Sequence, residues 1–233
     1  MMAAGHLLSG ALAGVLAAPL MPLPHSPAAL PVFVGVTTVA ALVPDMDQPG
    51  SKLSRVLGPI TWLLAWLTGW ISRVVYEATK TPLDKPCGNG HRTLTHTLIF
   101  ALLLGGAVYG VMSAWAQSHP SIQPWALTVA LATTLGCWAH LAGDALTIHG
   151  IPAYWPVQRG GKRWGCVGAP HVLRFRTGGG KAGRGRRHST VSSYGGVWAA
   201  IGESVVTFVL LAGFIGMAGA TVVGGGSWMA LLP

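Results

Sequence analysis

The sequence predicts an all-α, polytopic membrane helix bundle of about five transmembrane helices plus one interfacial helix. Three observations carry that prediction. The 233 residues are 51% hydrophobic and only 9% charged, with a mean hydropathy of +0.52, whereas soluble domains carry about 25% Asp, Glu, Lys and Arg. The apolar residues come in long uninterrupted runs, the pattern of spanning helices. The ten Trp suit a membrane boundary, where indoles collect.

Taken in order, five runs are long and apolar enough to cross or nearly cross a bilayer: residues 7–20, 28–43, 98–116, 125–146 and 197–223. The first two are short. Sixteen helical residues reach about 24 Å against a hydrocarbon core of about 30 Å, which calls for local thinning or a half-buried hairpin. Pro22, Pro24 and Pro27 make the link between them a tight turn. The N-terminus has no positively charged leader region and carries His6, so it reads as retained rather than as a cleaved signal. A sixth run, residues 56–75, differs: Trp62, Trp66 and Trp70 recur every four residues and line one helix face. If this run crossed, the chain would have to return through residues 76–90, where Glu77, Lys80, Pro82, Asp84, Lys85 and Pro86 forbid it. It is therefore expected to lie in the membrane plane.

With five crossings, all fifteen Lys and Arg fall on one side. Lys52, Arg55, Arg73, Lys80, Lys85 and Arg92 lie there with the nine between Arg159 and Arg187, while residues 21–27, 117–124 and the tail after Val223 have none. The positive-inside rule places that face in the cytoplasm. The organisation that follows is a membrane-embedded core at 1–156, a basic Gly- and Arg-rich cytoplasmic loop at 157–196, and a last crossing with a short tail at 197–233. Cys87, Cys137 and Cys166 are odd in number and form no C-x-x-C pair, which argues against a disulfide framework while leaving room for one bridge. Cys87, four residues before His91, reads as a small apolar filler or as a ligand.

Four polar clusters meet at the basic face. His6 begins the first helix, Asp45-Met46-Asp47 ends the second with Ser51 shortly after, His91-Arg92-Thr93-Leu94-Thr95-His96-Thr97 opens the third, and His140 with Asp144 closes the fourth. Residues four apart lie about 40° apart around a helix axis, so His140 and Asp144 share a face. Singly each cluster has an ordinary reading: a helix-tightening His–Asp bond, a solvated turn, a loop histidine. Together they set four imidazoles and three carboxylates at one depth of one bundle. Seven such groups exceed the three or four protein ligands of one catalytic zinc and suit two metals sharing a carboxylate, a device for activating water. That chemistry points to hydrolysis of phosphate or ester bonds.

The set His6, Pro44-Asp45-x-Asp47 with Ser51, His91-Arg92-x-x-Thr95-His96, and His140-x-x-x-Asp144 with Gly150 and Trp155-Pro156 resembles the YdjM family over roughly residues 1–156. Those are bacterial inner-membrane proteins, once labelled LexA-binding and regarded as metal-dependent hydrolases, with a distant similarity to zinc-dependent phospholipase C and P1-type nucleases. The resemblance implies that His6, Asp45, Asp47, His91, His96, His140 and Asp144 are metal ligands. Where the family usually has Ser after the Thr-His pair, this chain has Thr97, which keeps the hydroxyl.

The expected enzyme is a membrane-bound hydrolase holding two divalent ions, zinc first and manganese or iron next, with Asp45 or Asp47 bridging them. Its partners are membrane lipid and a lipid-like or phosphorylated substrate. Arg92 reads either as a clamp on a substrate phosphate or as a topology-setting charge. Glu203, inside the last crossing, is a base, a support for the ligands, or a snorkelling carboxylate. His149, with His25, His119 and His171, reads as a loop residue. The basic stretch 159–187 reads as setting topology and attracting anionic lipid, or as gathering substrate or nucleic acid; it lacks the interleaved aromatics of a nucleic-acid platform. Two rivals stand beside the hydrolase. A metal-ion or proton transporter would need polar groups continuing through the bundle, and a non-enzymatic scaffold would act through the basic loop.

Overall fold

The computed structural model describes residues 3–48, 51, 58–87, 91–147 and 149–168. Their regular structure is helical: α1 Ala3–Ala17, α2 Ala29–Ala40, α3 Pro59–Thr79, α4 Leu98–Ala116 and α5 Gln123–Ala145, with three isolated antiparallel bridges. Four stretches are long and apolar enough to span a bilayer: Ala3–Leu20, Ala29–Asp47, Leu98–Ala116 and Pro120–Ala145. They match the first four runs expected from the sequence. The fifth run, Glu203 within it, and residues 169–196 lie outside the described residues.

Prolines set the ends of these helices. Pro19 breaks α1 into the short 3-10 turn Ala18–Leu20. Pro44 has no N–H to give the carbonyl of Ala40, so α2 stops there and the chain tightens into a 3-10 turn over Val43–Asp47. That early stop frees backbone carbonyls at Ala40 and Ala41 for other partners. Pro59 and Pro124 stand in the first turns of α3 and α5, where a missing N–H costs nothing. Thr97 caps α4: its hydroxyl oxygen accepts from the Phe100 N–H at 3.2 Å and donates to the Leu94 carbonyl at 2.8 Å. The hydroxyl retained at this position has a structural task.

α5 is the central helix, packed on α1, α2 and α4. In lipid no hydrophobic force draws helices together, so small residues and close backbone approach do that work. A Cβ at Gly136 would collide with the Thr37 carbonyl of α2 and come within 2.7 Å of the Ala40 Cβ. One at Gly10 of α1 would stand 2.7 Å from both the Thr37 carbonyl oxygen and the Ala41 Cβ. α4 lies at the edge, burying Ala101, Gly105 and Ala116 while Leu102, Leu103 and Val111 face outward.

α3 is not one of the four candidate spans. It turns Thr61, Ala65, Ser72 and Tyr76 inward and leaves Trp62, Trp66 and Trp70 about half exposed. The tryptophan stripe therefore faces away from the protein, as a helix lying against a membrane requires. Gly69 lets this helix touch the backbone of Asp47, where a Cβ would come within 2.5 Å of its carbonyl oxygen.

Residues 157–168, at the head of the expected basic loop, fold back onto the core. Arg159 and Lys162 exchange backbone hydrogen bonds across Gly160 and Gly161, whose φ of 54° and 78° glycine adopts freely. Ile151 and Val167 pair in the same way at 2.8 and 2.7 Å. Trp164 is buried against Tyr76 and Trp155, and its indole N–H donates to Thr79 Oγ1 at 2.9 Å. Asp84 accepts from the backbone N–H groups of Thr81, Arg163 and Trp164. Burial opposes ionisation of this carboxyl, but those donors outweigh it and hold Asp84 below the usual carboxylate range. Cys87 and Cys166 are joined by a disulfide, so Cys87 is neither filler nor ligand, and Cys137 is the buried free thiol among the described residues.

Gly136→Val is expected to destabilise the bundle by about 2–4 kcal/mol, because the new side chain meets α2 backbone that cannot turn aside. Gly106→Ala, with nothing within 4 Å of the new Cβ, should melt like the wild type. Thermal denaturation in detergent compares the two.

Candidate metal centre

The polar clusters converge because the ends of α1, α2, α4 and α5 reach the same depth. Asp45, His96, His140 and Asp144 each offer one donor atom, all within 4.8 Å of one another. Four of the separations are equal: His96 Nε2 and His140 Nε2 each stand 3.6 Å from Asp45 Oδ1 and 3.6 Å from Asp144 Oδ2. These are too long for hydrogen bonds. They match the edges of a tetrahedron of ligands at about 2.0–2.2 Å from a central ion, which are about 3.3–3.6 Å.

Tautomers support the same reading. His140 Nδ1 lies 2.7 Å from the Ala41 carbonyl. A carbonyl only accepts, so Nδ1 carries the proton and Nε2 presents its lone pair to the centre. The carbonyl is available because α2 ends early at Ala40. On the other side Thr95 Oγ1 donates to Asp47 Oδ2 at 3.0 Å and stands 3.0 Å from His96 Nδ1. With its own proton given to Asp47, the hydroxyl accepts from His96, and the lone pair is again on Nε2. Both Nε2 atoms are buried and make no hydrogen bond. Two converging, desolvated imidazole lone pairs between two carboxylates form a donor set that could hold a metal ion.

A second group, Asp47, His91 and His96, also holds its donor atoms within 4.8 Å. The residue common to both groups is His96. Burial lowers the His96 imidazole, with His140 adding to the effect and Asp45 opposing it. Burial likewise drives His91 down to about 4, helped by His96 and Arg92. Both rings are thus neutral near pH 7, the ligating form. His6 belongs to neither group. Its ring stacks on His140 with centroids 3.7 Å apart, and its Nε2 stands 3.5 Å from Asp144 Oδ1.

Arg92 is buried and turned inward. Its Nη2 lies 2.8 Å from Asp144 Oδ2, while Nη1 donates to Thr147 Oγ1 at 2.6 Å and to the Gly150 carbonyl at 3.1 Å. Such a guanidinium is committed to orienting Asp144 and tying down the end of α5, not to gripping a substrate phosphate. Gly150 adopts φ 62°, and a Cβ there would stand 2.6 Å from the Val167 carbonyl oxygen, so glycine at this site of the motif has a steric cause. Glu203 lies outside the described residues.

Sequence reasoning quoted Thr95 within its motif but gave it no role, and it missed Thr147 and the Ala41 carbonyl. The signal for Thr95 was its place beside His96. Nothing in sequence order marks Ala41, ninety-nine positions from its partner.

Arg92→Met strands the buried Asp144 carboxylate and is expected to cost about 3–5 kcal/mol of stability, the effect of breaking a buried ion pair from one side. Thermal unfolding in detergent measures it, and a melt unchanged from wild type would show that the pair is dispensable.

A family model described as YdjM inner membrane protein matches residues 1–221, well past the 1–156 that carry the motifs. No curated protein and no solved structure matches the chain.

Proposed function

The chain belongs to the YdjM family of inner membrane proteins, and from that premise we propose that it is a membrane-bound metal-dependent hydrolase acting on a phosphoester or ester bond. The observation that carries the reading is the four-donor set Asp45, His96, His140 and Asp144, with both imidazole tautomers held in the ligating form. An ion bound there would supply Lewis acidity and an activated water. Zinc is the first choice, manganese or iron the next, and Asp47 with His91 would be the donors left for a second ion, since the one lone pair of His96 faces the first.

The chain's own residues do the rest. Thr95 and the Ala41 carbonyl orient the two imidazoles, and Arg92 steers one oxygen of Asp144 while His6 faces the other. Asp45 is the most open of the four donors at 29% exposed, against 0%, 0% and 1% for His96, His140 and Asp144. Substrate and water would arrive on the Asp45 side, beneath the turn that α3 braces through Gly69. A lipid-like substrate suits a site placed there, beside a helix whose tryptophans face the membrane.

The transporter reading is weaker. Away from the site, Thr37, Thr128 and Thr133 are buried, and each hydroxyl donates to a backbone carbonyl. They form no polar path toward the far side.

Elemental mass spectrometry of the detergent-purified chain is expected to find about one to two divalent ions per chain. His96→Ala with Asp45→Ala, which leaves the Arg92–Asp144 pair intact, should lose them while remaining folded by circular dichroism. Thr95→Val should weaken metal retention, or hydrolysis of a phosphodiester reporter, by about 10–100-fold. A chelator-free preparation without bound metal would sink the hydrolase.

We also place the site on the cytoplasmic side, from the one-sided Lys and Arg. The Cys87–Cys166 bridge pulls the other way, since disulfides persist mainly in oxidising compartments. Green fluorescent protein joined after residue 168 is expected to fluoresce, and alkaline phosphatase at the same point to be inactive. The converse pair of results reverses the orientation.

A further inference from the structure

The hairpin at residues 159–163 sets two positive charges directly across from each other. Arg159 and Lys162 form an antiparallel bridge with N–H···O distances of 2.8 and 3.0 Å in the two directions. Opposed residues in such a bridge present their side chains on one face, and like charges there repel. Arg163 follows immediately, and its Nε is buried without a hydrogen-bond partner. The three cations line a cleft of about 320 Å³ together with Tyr154, Trp155 and Val167.

Among the described residues, no acid is paired with this charge. Both oxygens of Asp84, packed beneath the hairpin, accept N–H groups of the backbone. Glu77 is paired with Lys80. Asp45, Asp47 and Asp144 are committed to the metal centre. Among the described residues, no carboxylate forms an ion pair with the side chains of Arg159, Lys162 or Arg163.

The hairpin is nonetheless held firmly in this arrangement. Trp164 anchors it in the core, Asp84 ties its backbone, the Cys87–Cys166 disulfide closes it, and Arg159 lies over the Tyr154 ring at 5.7 Å. A rigid cluster of like charges whose side chains no described carboxylate pairs is suited to an anion with several acceptor oxygens. We propose that the cleft lined by Arg159, Lys162 and Arg163 is a binding site for a phosphate group. Its place beside the end of α3, to which Trp155 and Trp164 are both tied through Thr79, puts it within the reach of phospholipid headgroups and of soluble phosphates alike. The inference stands apart from the metal-centre reading, and its test requires no catalysis.

The test is binding by the full-length chain in a neutral detergent, with phosphatidylglycerol followed by native mass spectrometry and inorganic phosphate by titration calorimetry. At least one probe is expected to bind saturably, and the Arg159→Gln, Lys162→Gln double variant should weaken it about tenfold or more. Arg159→Lys should stay within about threefold of wild type, and Lys80→Gln, outside the cleft, should change nothing. Selective loss of the lipid assigns the site to a headgroup, and loss of inorganic phosphate assigns it to a soluble phosphate. Should the double variant fail to fold, Lys162→Gln alone, at an exposed position, carries the test. Equal binding of both probes by variant and wild type, or an equal loss in Lys80→Gln, overturns the proposal.

Discussion

A carboxylate with 1% exposure at the end of a membrane helix persists only where its charge is answered from several sides. Asp144 is answered by Arg92 at 2.8 Å on Oδ2 and by His6 at 3.5 Å on Oδ1, while the unprotonated Nε2 atoms of His96 and His140 stand 3.6 Å from Oδ2 and leave it open to a cation. These groups arrive from α1, from the turn before α4 and from α5 itself. The demand of one buried charge therefore fixes where α1, the turn before α4, and α5 must end relative to one another. The same convergence leaves two imidazole lone pairs facing two carboxylates, an arrangement costly in itself and natural around a cation.

Such convergence requires backbones that can approach closely. Gly136 and Gly10 let α5 and α1 press against the Thr37–Ala41 end of α2. Pro44 ends that helix early, and the carbonyl thereby released at Ala41 becomes the acceptor that sets the His140 tautomer. A packing feature and a backbone break, neither of them chemical, thus prepare a chemical property of a side chain on another helix. Thr95 does the equivalent for His96 by linking its Nδ1 to Asp47.

Outside the bundle, α3 and the segment after α5 form a second layer over the polar end. α3 presents its tryptophans outward and its small and polar residues inward, the reverse of a helix on a soluble protein. Trp164, Trp155 and Thr79 lock the returning hairpin to its end, and the Gly150 carbonyl, just before the Ile151–Val167 pair, accepts from Arg92. Val167, paired with Ile151, lines the basic cleft.

The sequence by itself determined the helical membrane class, the first four stretches apolar enough to span and the exclusion of α3 from them, because long apolar runs, proline punctuation and charge position are local properties. It also named His96, His140, Asp45 and Asp144 as members of one constellation, since ionisable residues are rare in apolar segments and the ends of successive spans alternate between two faces. Only the tertiary structure decided which donors converge. His140 and Asp144 share a helix face by periodicity, but their distance from Asp45 depends on where Pro44 ends α2 and on how closely Gly136 lets α5 approach. Arg92 was read from its charge as a clamp or a topological marker, and its commitment to Asp144, Thr147 and Gly150 comes from contacts spanning more than fifty positions. The Cys87–Cys166 bridge, across seventy-nine positions, was equally beyond spacing rules. Local chemistry is written along the chain, whereas the sharing of one buried charge among distant residues is settled only when the helices pack.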